Sequence, residues 1–400
     1  MKFLRSERWA AALLLIAAVL GLLVANLPLG ADVVALKNAH IDLAWLGLDL
    51  SIGHWISDGL LAIFFFIVAV ELKRELVIGE LNSLSKALLP AIAAVGGVVV
   101  PALIFVAFTV GTPTVDGWPI PTATDIAFAL GVLAMFGTWL PTRVRVFLLA
   151  LAVLDDLIAI IIIAFFFTSD ADLAALGYAG IAIALFGAVS RMMKPRSKWI
   201  LARRPQWPIN VVLILLGVVA WYFVYQSGVH ATIAGVALGL VMARRPGGRA
   251  VHALEPWSNG VILPLFAFSA AMVVVPQVRP SELDPAFWGI LIALPVGKII
   301  GITLAGALGG LVARRGSSTP LTFVDLLVVG ALGGIGFTVS LLMNELAFAE
   351  LTEVSDEGTL AVLLGSGIAM VASAIVVSLR SRHYRRRGHT QAGVGGAFSH

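Results

Sequence analysis

Apolar runs of roughly 17–25 residues, the length a helix needs to cross a bilayer, recur along the whole chain. They predict twelve spans, at 9–27, 55–71, 87–110, 120–138, 146–168, 172–190, 209–226, 229–243, 257–275, 286–312, 321–349 and 358–379. The first run, Trp9 to Leu27, exceeds the usual 7–15-residue core of a signal peptide and predicts a retained helix. Around Gly47 the segment 41–51 alternates apolar and polar residues, which predicts a small extracellular β-hairpin. The whole of 1–380 reads as one transmembrane domain. Residues 381–400, basic and then rich in glycine and small residues, predict a disordered cytoplasmic tail.

Charge in the connecting segments alternates with the spans. One set of segments holds every Lys and Arg except Lys37, Arg279 and Lys298. It includes Lys2, Arg5, Lys73, Arg143, Lys194, Arg196, Lys198, Arg203, Arg204, Arg244, Arg314, Arg315 and Arg380. The opposite set carries Asp116, Asp170, Asp172, Glu282, Asp284, Glu350, Glu353, Asp356 and Glu357. Basic loops stay in the cytoplasm, so both termini are expected there.

Composition agrees with this threading. The 400 residues are 60% hydrophobic and only 12% charged, whereas soluble domains are about 45–50% apolar and about 25% charged. The net charge of +4 resides in topology-setting loops and gives no reason to expect a nucleic-acid partner. With no cysteine, disulfides, thiolate metal sites and cysteine nucleophiles are excluded.

Four charges lie where the pattern places hydrocarbon. Lys298 comes 14 residues after Asp284 and 16 before Arg314, near the bilayer midplane. Asp155 and Asp156 are near mid-depth in the fifth span, and Asp125 is inside the fourth. Each costs at least about 2.5–3.5 kcal/mol at a helix centre, and such groups mark ion or proton paths unless they form a structural ion-pair network. Neighbours on a helix diverge by about 100°, so Asp155 and Asp156 face different partners.

The fourth span opens on Pro119, Pro121 and the Thr124-Asp125 pair, and the eleventh carries Gly330, Gly333, Gly334 and Gly336. Prolines and clustered glycines interrupt helices, although glycines also serve close helix packing. The two spans run in opposite directions, each in the middle of a triplet (3–5 and 10–12), which is the pattern of an inverted repeat with antiparallel interrupted helices. Half-helix N-termini call for a carboxylate and C-termini for a cation, roles open to Asp125 and Lys298.

Several stretches together resemble the NhaA sodium/proton antiporters: Val70-Glu71-Leu72-Lys73-Arg74-Glu75-Leu76, Pro121 to Gly131, Leu154-Asp155-Asp156-Leu157, Ser227 to Thr232, Leu263 to Phe268, Gly297-Lys298 and Gly334 to Thr338. The resemblance runs from about residue 8 to 380. It implies a transporter, not an enzyme, in the bacterial inner membrane, with crossed broken helices, no cofactor and a homodimer joined through the hairpin. It implies that Asp155 and Asp156 carry Na+ (or Li+) and H+, that Asp125 and Thr124 line the site, and that Lys298 pairs with Asp155 when sodium is absent. It further implies that Glu71, Arg74 and Glu75 serve the pH response, and it matches His230 to a position associated with that response, although His230 also reads as an interfacial histidine bonded to a helix end. The loop from Ala243 to Pro256 departs from the family pattern, being rich in arginine with Glu255 its only acid.

Exchange needs only one site that sodium and protons cannot occupy together. The rival reading is a membrane enzyme with paired aspartates. Against it, no Gly-x-Gly-Asp is present and Asp155-Asp156 is followed by Leu-Ile-Ala-Ile rather than further acids. A sodium-driven symporter on a related fold stays open at the level of sequence.

Overall fold

The computed structural model describes residues 7–28, 30–43, 46–79, 81–168, 171–193, 207–313 and 321–395. In chain order the elements are α1 (Glu7–Ala25), α2 (Gly30–Lys37), β1 (His40–Leu43), β2 (Leu48–Ser51), α3 (Ile52–Ile78), α4 (Leu84–Thr109), α5 (Ile126–Phe136), α6 (Thr142–Phe166), α7 (Leu173–Met192), α8 (Trp207–Gln226), α9 (Thr232–Val241), α10 (Arg244–Trp257), α11 (Leu263–Ala270), α12 (Pro285–Leu311), α13 (Phe323–Gly333), α14 (Phe337–Ala347) and α15 (Thr352–Gly395). Among the described residues, eight helices are long and apolar enough to cross a membrane, and two bent pairs bring the number to ten. Large apolar side chains point outward, with Leu103 63% exposed, Ile214 66% and Leu308 63%. Lipid accepts such a surface and water does not, so the chain is an all-α polytopic membrane protein.

The chain forms two compact units. In the first, built mainly from Leu13–Gly79 and Leu157–Val274, β1 and β2 pair antiparallel with Ile41 opposite Leu50. Gly47 turns the hairpin at φ +63°, a conformation that favours glycine. The Leu46 carbonyl accepts from Tyr222 Oη at 2.9 Å, which anchors the turn to α8. The strands start at His40, one residue before the expected segment, and Ala44 and Trp45 lie outside the described residues.

The stretch read as the eighth span is a short helix in this unit. Helix α9 has ten residues, about 15 Å of rise against a hydrocarbon core of about 30 Å. Lys73 on α3 closes its C-terminal end by donating to the carbonyls of Leu240 (2.6 Å) and Met242 (2.8 Å), which supplies a donor where the helix stops. Gly235 permits the contact, since a Cβ there would lie 1.9 Å from the Ala62 carbonyl oxygen. Helix α10 then carries Arg244, Arg245 and Arg249 and runs on through a wider turn, Ser258–Ile262, into α11, so the stretch read as the ninth span is helical as far as Ala270.

The second unit is built mainly from Glu80–Asp156 and Val275–His400. Here α4 lies against α12 along a seam of small residues. A Cβ on Gly301 would stand 2.1 Å from the Gly96 carbonyl oxygen. Pro295 sits in a wider turn, Ala293–Gly297, immediately before Lys298, because proline removes one backbone donor from the regular ladder. The last helix, α15, continues to Gly395, past the point where the sequence reading begins its disordered tail. Ser381 accepts from the Trp139 backbone N–H at 3.3 Å and Tyr384 reaches Asp325, so side-chain contacts hold the helix beyond Arg380. The basic residues Lys2, Arg5, Lys194, Arg196, Lys198, Arg203, Arg204, Arg314 and Arg315, together with Asp170, lie outside the described residues.

Candidate functional site

Two helical segments of the second unit break side by side. Pro113–Thr122 bends into α5 by 41°, and α13 bends into α14 by 51°. The breaks are locally encoded: Pro119 and Pro121 deny donors to the first, while Gly334 and Gly336 flank the second. Their backbones touch, with Asp125 N–H donating to the Ile335 carbonyl at 2.6 Å. Gly336 is required at the crossing, as a Cβ would meet the Ala123 carbonyl oxygen at 2.9 Å. Ile120 meets Ser340 and Thr124 meets Gly333, so the two segments pass each other in opposite senses.

Asp125 closes the N-terminal ends of both half-helices that leave the crossing. It caps α5 by accepting from Phe128 N–H at 3.2 Å. Its other oxygen accepts from Thr338 N–H at 3.2 Å and Thr338 Oγ1 at 2.7 Å, in the first turn of α14. A carboxylate between two helix N-termini satisfies orphan donors and faces two positive dipole ends. The side chain is buried, so this position is held by polar contacts within the protein.

On the opposite side of the crossing α13 ends at Gly333, whose carbonyl accepts from Thr124 Oγ1 at 2.8 Å. Thr124 Oγ1 in turn accepts from Lys298 Nζ at 3.0 Å. Lys298, with no exposed surface, also pairs with Asp155 Oδ2 at 2.6 Å. The chain Asp155–Lys298–Thr124–Gly333 thus sets a cation beside the negative end of a half-helix. Asp155 Oδ1 is buried and takes no hydrogen bond. Asp156, next on α6 and also buried, lies close enough to act electrostatically on Lys298. Taken together, the site offers carboxylate, hydroxyl and unwound carbonyl oxygens around one ammonium. That donor set suits a hard cation which displaces an amine or a proton.

The structure therefore brings Asp155, Asp156, Lys298, Thr124 and Asp125 into one unit and joins Asp155, Lys298 and Thr124 by hydrogen bonds at the crossing, while Asp125, next to Thr124 in the chain, caps the two half-helices there. The remaining sequence candidates lie in the first unit. Glu71, Arg74 and Glu75 occupy α3. His230 is half-buried, its Nε2 3.1 Å from Asp58 Oδ1 and its Nδ1 2.7 Å from Thr232 Oγ1 at the start of α9.

Two residues of the second unit escaped the sequence reading. Thr338 completes the cap on Asp125, and its signal was its place directly after the Gly336-Phe337 break. Asp325 is a fully buried carboxylate inside the run 321–349, and its signal was a charge within an apolar stretch.

The chain matches the family model described as Na+/H+ antiporter 1 over residues 1–377. It is 60% identical over 387 residues to a protein of Clavibacter michiganensis named Na(+)/H(+) antiporter NhaA 2, covering 96% of this chain and 93% of that one. It is 46% identical over 402 residues to the Na(+)/H(+) antiporter NhaA of Tropheryma whipplei, covering 100% of both. With the NhaA antiporter of Thermobifida fusca it shares 42% identity over 395 residues, 96% of this chain and 95% of its relative. Antiporters are transporters and not enzymes. The chain belongs to the Na+/H+ antiporter family.

Proposed function

We propose that this Na+/H+ antiporter is electrogenic, expelling one cytoplasmic Na+ or Li+ for two external H+ through alternating access at Asp155 and Asp156. The observation that carries the reading is the buried Lys298–Asp155 pair, with the second Asp155 oxygen unpartnered and Asp156 adjacent on α6. An unpartnered carboxylate oxygen at depth is costly to keep, and an arriving cation satisfies it. In the sodium-free state Lys298 holds Asp155. Sodium, binding to Asp155, Asp156, Thr124 Oγ1 and unwound carbonyls, takes over the charge that Lys298 and protons supplied. Asp125 steadies the two half-helix N-termini while this happens. No resident cofactor enters the cycle.

In the same reading the protein makes twelve passes in a bacterial cytoplasmic membrane, α9 being the short one, with both termini inside. Spans 3–5 and 10–12 are inverted repeats, the arrangement by which transporters of this and other families carry ions at the midplane. Two copies associate through the hairpin. Glu71, Arg74, Glu75 and His230 adjust the response to pH from the first unit.

Proton release on adding Na+, Li+ or K+ to purified protein tests the competition. We expect release with Na+ and none in Asp156→Asn, which keeps the shape of the side chain but loses its charge and proton chemistry, and we expect that variant to remain folded. Wild-type exchange by Asp156→Asn would move the site elsewhere.

A further inference from the structure

Asp325 stands apart from the site, at the opposite end of α13. Thr322 and Asp325 form a reciprocal cap on this half-helix: Asp325 N–H donates to Thr322 Oγ1 and Thr322 N–H donates to Asp325 Oδ2, each at 3.2 Å. A cap of that kind needs no further partners. Asp325 nevertheless has three, all from other helices. Arg380 Nε donates to Oδ1 at 2.9 Å, Tyr384 Oη lies 3.1 Å from both oxygens, and Arg143 Nη2 stands 3.6 Å from Oδ2. Arg380 Nη2 also donates to Thr322 Oγ1 at 2.8 Å, and Arg143 Nη2 donates to Tyr384 Oη at 3.3 Å. The Asp325 side chain has no exposed surface, whereas Arg380 is 13% and Arg143 36% exposed.

A buried ion pair gives little net stability over apolar packing of similar volume, and its best-attested use is to fix register. The register in question leads to the site. Asp325 and Gly333 lie eight residues apart on one half-helix, about 12 Å, and the Gly333 carbonyl holds Thr124, which holds Lys298. Arg143 sits near the start of α6, twelve residues before Asp155. The cluster joins the remote ends of the two helices whose other parts meet at Lys298.

We propose that Asp325 is a positioning residue for exchange. Clamped by Arg380, Tyr384 and Arg143, it sets the axial position of α13 so that the Gly333 carbonyl stays engaged with Thr124 and Lys298. This rests on the site reading above. Loosening the clamp lets α13 shift, and the balance between Lys298 and sodium at Asp155 shifts with it.

The test compares Asp325→Asn, Asp325→Glu and Asp156→Asn with the native full-length protein in proteoliposomes, reading the apparent KM for Na+ separately from the maximal rate. Asp325→Asn should change KM by about 2- to 30-fold, the range of couplings carried through packed elements, with a smaller change in maximal rate. Asp325→Glu, which restores the charge for Arg380, should return KM to within about twofold of the native value. A folded Asp325→Asn with native KM overturns the clamp, as does an equal shift in both Asp325 variants. Should Asp325→Asn fail to fold, Tyr384→Phe, which removes one hydroxyl and strands no charge, decides by the same KM criterion. Native exchange in Asp156→Asn would instead sink the site reading, whereas an inactive Asp156→Asn beside an unchanged Asp325→Asn overturns the clamp alone.

Discussion

At the scale of the residue, the proposed exchange turns on Lys298, which has no exposed surface. Asp155 and Thr124 hold its side-chain nitrogen in the interior at 2.6 and 3.0 Å. Removing one partner of a buried pair strands the other and typically costs about 3–5 kcal/mol. Lys298→Ala should therefore lower both the melting temperature in detergent and the exchange rate, because Asp155 loses its counter-charge and Thr124 its donor. An unchanged melting curve together with unchanged transport would contradict the pairing. These residues were legible in the sequence because a charge inside an apolar run is conspicuous on energetic grounds alone. Thr338 was not, since a hydroxyl bonds locally in a helix at little cost and so carries no comparable signal. Asp325 broke the same pattern as Asp155. It went unread because it is the fifth residue of the run 321–349, near the edge, where a charge can be taken for part of a loop.

At the scale of the element, what positions Lys298 is a glycine seam. Gly301, one turn further along α12, allows the helix to approach Gly96 so closely that any side chain would meet a carbonyl oxygen at 2.1 Å. Gly301→Leu should wedge α12 from α4, destabilise the protein by about 1–3 kcal/mol, as overpacking does, and depress exchange through displacement of Lys298. Gly310→Ala is the control on the same helix, since nothing lies within 4 Å of the Cβ it would add, and it should leave both quantities unchanged. Comparable melting temperatures for the two variants would argue against the seam. The broken helices were readable from prolines and glycines, which act locally. The cap on the end of α9 was not. Arg244, Arg245 and Pro246 mark the end of the apolar run two residues beyond Val241, but the ammonium that takes the Leu240 and Met242 carbonyls comes from Lys73, far away in sequence. No window along the chain contains that information.

At the scale of the whole molecule, threading and charge movement are linked, since a carrier that uses the membrane potential must have a fixed orientation. The native chain lacks cysteine, so single cysteines report topology without background. Cysteine at Gly248, on the arginine-bearing α10 where an added Cβ meets nothing within 4 Å, should react with impermeant thiol reagents only from the cytoplasmic side. Cysteine at the exposed Ser281 should react only from outside. Reversed labelling would invert the positive-inside assignment.

The two-for-one exchange is the central claim, and it predicts one net positive charge moving inward per cycle. A charge crossing 100 mV is worth about 2.3 kcal/mol, enough to drive sodium uphill with no proton gradient. The direct measurement is sodium flux in proteoliposomes held at equal pH on both sides while an inside-negative potential is imposed. Sodium should leave the inside-negative compartment against its gradient, and Asp156→Asn should not move it. A sodium flux indifferent to the potential would mean one-for-one exchange and a single working carboxylate, contradicting the paired-aspartate site.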